Sequence, residues 1–548
     1  MGDDAPTSAY LEQLTEELVA TKSALAAICR EASSKEDLLN LAAVNKSFPE
    51  VAHSEHVWDR LYEQDFPYFY GNLVARHRRD RRAVSYDDPN DSGVNVPWFT
   101  EYKKRHHRER CWETGNLSRK APLILGGHLG CVFGACFLGA PFTPGTICTG
   151  AHLDRTSGPA ASSSSGGEIK MWLPNRGTTI EQLVREYGGS GDEESIPPVG
   201  GVQAIPEGMD VETFTKQEIA RAGVLSLYQL PGTAQIACTT WKSGVHILRC
   251  RAVAEEVEQR DGGGDGEGKG GNAGRKRMKR AAADQNQENS KGYSFEAVLE
   301  VMGQEGPCSK TFVDKKSRIL ALPSYDGAVR LYLLPTWITD CSEIAEEERE
   351  DGAEAPKIHP SSTLFDDAKL EIRGEDGTTT TGTRAPVTAL TMSDDCKRMF
   401  TGSNDTLVKL WDMQREEIVH RFEGHEGFIW NVKGLDADLN TAVSTSTDGF
   451  ARRWDLRQRT CAGSINVCAH PGNVQAVTGV ALRGNGYHMA VGSFDNNVYV
   501  LDTRMMRRLY SVGRHGDKVC RAHLYDKGDS DLLMTTGWDR TVRLWQFD

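Results

Sequence analysis

Hydrophobic and polar positions in the C-terminal half of the chain alternate with period two over short runs. In "DTLVKLWD" (405–412), Leu407 and Lys409 are expected on one face of an extended segment and Val408 and Leu410 on the other. An Asp opens the run at a tight turn, where its carboxylate accepts backbone hydrogen bonds. A Trp closes it with a large ring and a single donor. The pattern ends at Trp411, Trp454, Leu501 and Trp545, at steps of 43, 47 and 44 residues. That period predicts one four-stranded propeller blade per copy, with Asp405, Asp448, Asp495 and Asp539 at the turns. Weaker copies lie upstream. One ends at Tyr332, one carries Lys242 where the turn Asp should stand, and the first runs through "GGEIKMW" (166–172). The count is seven, giving an all-β propeller over 121–548.

The N-terminal third has the helical period instead. Ser33 and Glu36 form a capping box, and Leu38, Leu41, Ala42 and Phe48 follow on one side. Pro49 suits a first helical position, and Ser54 caps a helix bearing Val57, Trp58, Leu61 and Tyr62. Residues 9–66 therefore read as a small helical domain. A linker, 67–120, holds a further helix anchored by Trp98, Tyr102 and Trp112 and ended by Gly115. Its basic run, 103–110, reads as a solvated face. Four stretches interrupt the propeller near 155–167, 188–222, 252–292 and 336–366. Their Gly, Ser and charge content predicts disorder. The second is expected to precede the first strand of blade two.

Composition narrows the function. The 548 residues are 39% hydrophobic and 26% charged, as in an ordinary globular chain, and no run of eighteen apolar residues occurs. A formal charge of −13 argues against general nucleic-acid binding. The thirteen cysteines form no C-x-x-C pair or metal quartet, so no metal is expected, and a reducing compartment, cytoplasm or nucleus, is. No hydrolase elbow, phosphate loop or metalloprotease motif is present, so neither catalysis nor a cofactor is expected. "RKRMKR" (275–280) fits a nuclear-import signal and a random basic run equally well.

These repeats resemble the WD-repeat family. Gly424-His425 matches that family's "GH" pair, with Arg514-His515 and Ala469-His470 as looser versions. The resemblance implies that His425 bonds Asp448, near Thr447 and Trp454, in a structural role shared with Trp411 and Trp545. In the family each repeat is offset from its blade. The fourth strand of the last blade is therefore expected from 121–130, zipped on to close the propeller. Two positions per blade commonly reach the family's top face. Before the turn Asp these are Trp241, Tyr325, Phe494 and Trp538, and early in the first strand Phe133 and Trp430. The first-strand positions of blades four, six and seven read Thr388, Thr478 and Cys520, where a phosphate reader would be expected to place Arg. The implied substrate segment is held by aromatic and apolar contact.

Asp37, Leu38, Leu39, Leu41, Val44, Lys46, Phe48 and Trp58, in that order, resemble an F-box, with Leu25 and Ile28 as first-helix anchors. Residues 96–117 resemble the linker helix of F-box/WD-repeat proteins. The combined resemblance implies a substrate receptor of an SCF-type ubiquitin ligase. Leu25, Ile28, Leu38, Leu39, Val44, Phe48 and Trp58 would meet a Skp-type adaptor, some in the contact and some in the bundle core. The adaptor would link to a cullin, and a protein substrate would sit on the top face. The competing expectation is a WD-repeat scaffold in a nuclear or RNA-processing assembly.

Overall fold

The computed structural model describes residues 55–71, 73–74, 77, 96–116, 122–152, 167–175, 177–187, 206, 208–214, 222–252, 293–314, 316, 318–339, 355–365, 369–373, 379–435, 439–468, 476–525 and 531–547. Seven sheets, each of four antiparallel strands and one with a fifth, are the blades of an all-β propeller. Contacts divide the chain into two compact units, Met1–Val132 with Gly177–Pro206 and Ala368–Asp548, and Phe133–Arg176 with Glu207–Asp367.

Blade five shows why the sequence folds this way. Its strands are Ile429–Gly434, Thr441–Ser446, Phe450–Asp455 and Thr460–Asn466, paired in chain order. The second is almost wholly buried and the first half buried, whereas the outermost, "TCAGSIN", is mostly exposed. Between the second and third strands Asp448 accepts the backbone N–H of Phe450 at 2.9 Å, and Gly449 takes φ +81°. The turn is the same elsewhere. Asp326, Asp405, Asp495 and Asp539 each accept an N–H from two residues on, and the intervening Gly327, Thr406, Asn496 and Arg540 all have positive φ. Gly avoids the steric cost of that conformation, but a β-branched Thr406 does not, so there the Asp bond must hold the turn against strain.

Blades four to seven lie in the first unit. The last consists of Val519–Tyr525, Asp531–Gly537 and Val542–Phe547, and Leu123–Leu125 completes it, with Leu123 opposite Leu544 and Leu125 opposite Val542. The second unit holds blades two and three and nearly all of blade one.

Lys409 is fully buried, its ammonium bonded to Asp405 across the blade turn. Two expectations are corrected. Within 188–222, Met209–Phe214 is the fourth strand of blade one, paired with Glu168–Pro174, so the interruption at 188–205 precedes that strand rather than blade two. Within 336–366, Ser362–Phe365 is the fourth strand of blade three, and Lys357–Ile358 adds a parallel fifth strand to blade two.

Among the described residues, helix α1 spans Glu55–Asp65 and helix α2 spans Trp98–Thr114. Gly115, at φ +75°, ends α2 by returning its N–H to the Cys111 carbonyl at 2.9 Å. The two helices share an aromatic core in which Trp58 lies 4.9 Å from both Phe99 and Tyr102, and Tyr62 lies 5.6 Å from Trp98. Trp58 is thus a bundle-core residue. The basic run of α2 is not simply a solvated face, since Arg105 and Arg108 are buried. Arg105 donates to Glu109 at 3.0 Å and lies 3.5 Å from Asp531 at the start of a blade-seven strand. Arg483, at the bottom of blade six, bonds Glu109 and Asp531, both at 2.6 Å. The Trp112 indole donates to Asp531 at 2.8 Å and stacks on Phe547 at 3.9 Å.

Burial alone would raise the Asp531 carboxyl, but Arg483, Arg105, Arg108 and the Trp112 donor hold it below the usual carboxylate range. Asp531→Leu, which leaves Arg483 and Arg105 in the interior with Glu109 shared between them, is expected to cost about 3–5 kcal/mol. Adding Arg483→Met should recover most of that loss in denaturant midpoints.

His488 lies beside this network, with neither ring nitrogen hydrogen-bonded. Burial, helped by the Arg483 charge, pushes its value down to about 4. The unfolded chain takes up that proton near pH 6.5 and the folded chain does not. Stability is therefore expected to fall as pH drops from 6.5 to about 4. His488→Leu should flatten that slope in urea titrations. A slope unchanged by this variant would show that His488 does not drive it.

Candidate functional site

The start of each first strand lies beside the end of the second, as the pairs Ile429–Ser446, Val477–Ser493 and Val519–Gly537 show. The residues before the turn Asp and those early in the first strand therefore gather at one end of the blades, the top. Arg483, Asn485 and Asp531 mark the opposite end, where α2 docks.

Beneath the top of blade five, the His425 ring lies between Asp448 (Nδ1 to Oδ2, 2.6 Å) and Ser444 (Nε2 to Oγ, 2.7 Å), and the Trp454 indole donates to the same Ser444 oxygen at 2.8 Å. Blade seven repeats this arrangement. His515 meets Asp539 at 3.0 Å and Thr535 at 2.8 Å, and Trp545 donates to Thr535 at 3.0 Å. In blade four Trp411 donates to Thr401 at 2.9 Å. The hydroxyl stands ten residues before the Trp in all three blades, a spacing that sequence reading could have used and did not. The order Asp–His–Ser resembles a hydrolase triad, but Ser444 and Thr535 are inaccessible and occupied by an indole donor. The arrangement therefore bears load in the fold and has no substrate access.

Four of the five turn carboxylates also have a partner four residues on, Asp448 being the exception. Arg330 lies 2.7 Å from Asp326, the Tyr499 hydroxyl donates to Asp495 at 2.6 Å, Arg543 lies 3.2 Å from Asp539, and Lys409 reaches Asp405. Burial raises the Asp448 and Asp539 carboxyls, but bonds from His425 and His515 and from backbone N–H groups outweigh it, and both end below the usual range. Burial pushes the His515 ring down despite Asp539.

The six candidate top-face aromatics are all half-buried and none belongs to the buried core. In the second unit Phe133 and His152 pack around Trp241, with centroids at 5.6 and 5.5 Å, while Tyr325 ties its N–H to the Pro307 carbonyl at 3.0 Å. In the first unit Trp430, Phe494 and Trp538 form a row, with 6.3 Å between successive centroids. The indole N–H groups of Trp241 and Trp430 have no acceptor among the described residues. Lys518, which sequence reading passed over, places its ammonium 5.0 Å from the Phe494 ring and 4.6 Å from that of Trp538.

Thr388, Thr478 and Cys520 are not on the surface. Each is buried at a strand bulge, and the two hydroxyls bond the next blade, Thr388 to the Ile429 carbonyl and Thr478 to the Val519 carbonyl at 2.5 Å. Leu25, Ile28, Leu38, Leu39, Val44 and Phe48 lie outside the described residues.

Thr535→Val keeps the shape of blade seven but removes the hydrogen-bond partner of two buried ring nitrogens, the Trp545 donor and the His515 Nε2. It is expected to lower stability by about 2–4 kcal/mol with an unchanged denaturant slope. A loss below ~0.5 kcal/mol would show that the hydroxyl is dispensable.

Residues 374–412, 416–455 and 508–546 match the WD domain, G-beta repeat family. Similar proteins include Protein SPA1-RELATED 3 of Arabidopsis thaliana, 27% identical over 164 residues, which are 30% of this chain and 18% of that protein. Guanine nucleotide-binding protein subunit beta-1 of Nicotiana tabacum is 30% identical over 175 residues, 30% of this chain and 45% of that protein. This chain thus spans less than half the length of the relatives it matches. Blades four, five and seven, which close on a turn Asp and a bonded Trp, are thus WD repeats.

Proposed function

We propose that the chain is the non-catalytic substrate-recognition subunit of an SCF-type ubiquitin ligase. Its F-box-like segment docks a Skp-type adaptor linked to a cullin, and the top of its propeller holds a protein substrate. The observation that carries this reading is the attachment of α2. One ion network ties the helix to the bottom of blades six and seven, while the aromatic row Trp430–Phe494–Trp538 occupies the top of the same unit. A receptor needs that division, with one end committed to the complex and the other left for cargo.

Burial of Trp58 against α2 supports the reading further, because it ties the helical segment to the linker helix. Arg105 and Arg108 are spent on the interior and are not displayed to a nucleic acid, which weighs against an RNA-processing scaffold. The eleven cysteines of the described residues are free thiols, in keeping with cytoplasm or nucleus.

Purification of the full chain with a Skp-type adaptor and a cullin tests the proposal. Leu38→Ala with Leu39→Ala should abolish adaptor recovery without shifting the melting of the propeller. Adaptor retained by that variant, or a wild-type chain that recovers RNA-processing proteins and no adaptor, would sink the receptor reading. Trp430→Ala with Trp538→Ala should lose substrate at an unchanged thermal midpoint. Unfolding of that variant would instead mark the rings as structural.

A further inference from the structure

Among the described residues, Lys518 is a top-face cation that the fold does not use. Two positive groups near it in the same unit are committed, Arg543 to Asp539 and Lys409 to Asp405. The nearby carboxylates are committed as well. Asp539 holds His515 and Arg543, Asp495 takes the Tyr499 hydroxyl, and Asp517 takes the backbone N–H of Lys518 itself at 2.7 Å. Among the described residues no carboxylate pairs with the Lys518 ammonium, and its neighbours are the rings of Phe494 and Trp538, which meet at 62°. Aromatic faces stabilise the cation but leave its outward hydrogens without an acceptor. Trp430 continues the apolar row on the far side of Phe494.

We propose that this end of the propeller recognises a short linear segment in which an Asp or Glu side chain meets Lys518 and an adjacent large apolar side chain lies on the Trp430–Phe494–Trp538 row. The inference rests on the receptor reading and adds the chemistry of the cargo. Charge complementarity selects the carboxylate. A single ammonium point charge between rings matches a monoanion, whereas phosphate is matched best by guanidinium forks. The positions where such forks would be expected are Thr388, Thr478 and Cys520, all buried.

The test displays a random dodecapeptide library to the full-length chain and to its Lys518→Met and Lys518→Arg variants, and then measures selected peptides as synthetic probes. The wild type should enrich Asp or Glu beside a large apolar residue. In the best probe Glu→Gln should weaken binding about tenfold on the wild type and on Lys518→Arg, and leave Lys518→Met unaffected. Probes with no acidic preference, bound equally by Lys518→Met but lost by Trp430→Ala with Trp538→Ala, would overturn this inference and leave the receptor reading standing. Probes indifferent to the tryptophan pair as well would remove the top face from both. A phosphoserine probe that binds tenfold better than its Glu counterpart through Lys518 would overturn the choice of carboxylate.

Discussion

Asp531 carries a charge with no access to solvent, and the seating of α1 and α2 depends on how that charge is answered. Removing a carboxylate from water costs several kcal/mol unless strong donors surround it. Here the donors come from two separate places, Arg483 at the bottom of blade six and Arg105 and Trp112 on α2. Lifting the helix would break the Trp112 bond and leave the interior charges unbalanced. Since α1 packs on α2 through Trp58, Tyr62 and Trp98, the described helices inherit the frame of the last blade. Such a network contributes more to defining one geometry than to net stability.

The blades solve a single recurring problem with different chemistry. Each turn between the second and third strands needs a carboxylate or its substitute to hold a left-handed residue, and that half-buried charge needs an answer. Blade five uses His425, blade seven His515 with Arg543, blade four Lys409, blade six Tyr499 and blade three Arg330. The "GH" signature is one of these answers. Its absence from blades three and four therefore says little about whether they are properly formed.

Local rules made much of the propeller legible. Turn Asp, closing Trp and alternating apolar residues are set by neighbours in the chain, and the strand at 123–125 follows from the offset that the repeats impose. What escaped notice was set at a distance. Arg483 and Asp531 sit 48 residues apart, and α2 meets the latter from more than 400 residues away, so no local pattern marks them as partners. The alternation around Lys409 likewise gives no sign that its ammonium is buried on Asp405. Met209–Phe214, "MDVETF", was hidden by its own acidic residues and by the interruption that precedes it. The top-face aromatics were legible as positions, but the cation among them was not, since Lys518 lies in a loop whose ring neighbours, Phe494 and Trp538, are distant in the chain.

The pairing of Leu123–Leu125 with Val542–Phe547 has a consequence for how the protein is made. The ribosome delivers the first of these strands, together with Trp112 and Arg105, more than 400 residues before the partners they need. At about 5–20 residues per second that interval is roughly 20–80 s. Throughout it an apolar strand, a large indole and unanswered guanidinium groups stand without their native contacts. Biogenesis of this chain thus includes an obligatory waiting period, in which holding chaperones have a defined client segment and a defined moment of release.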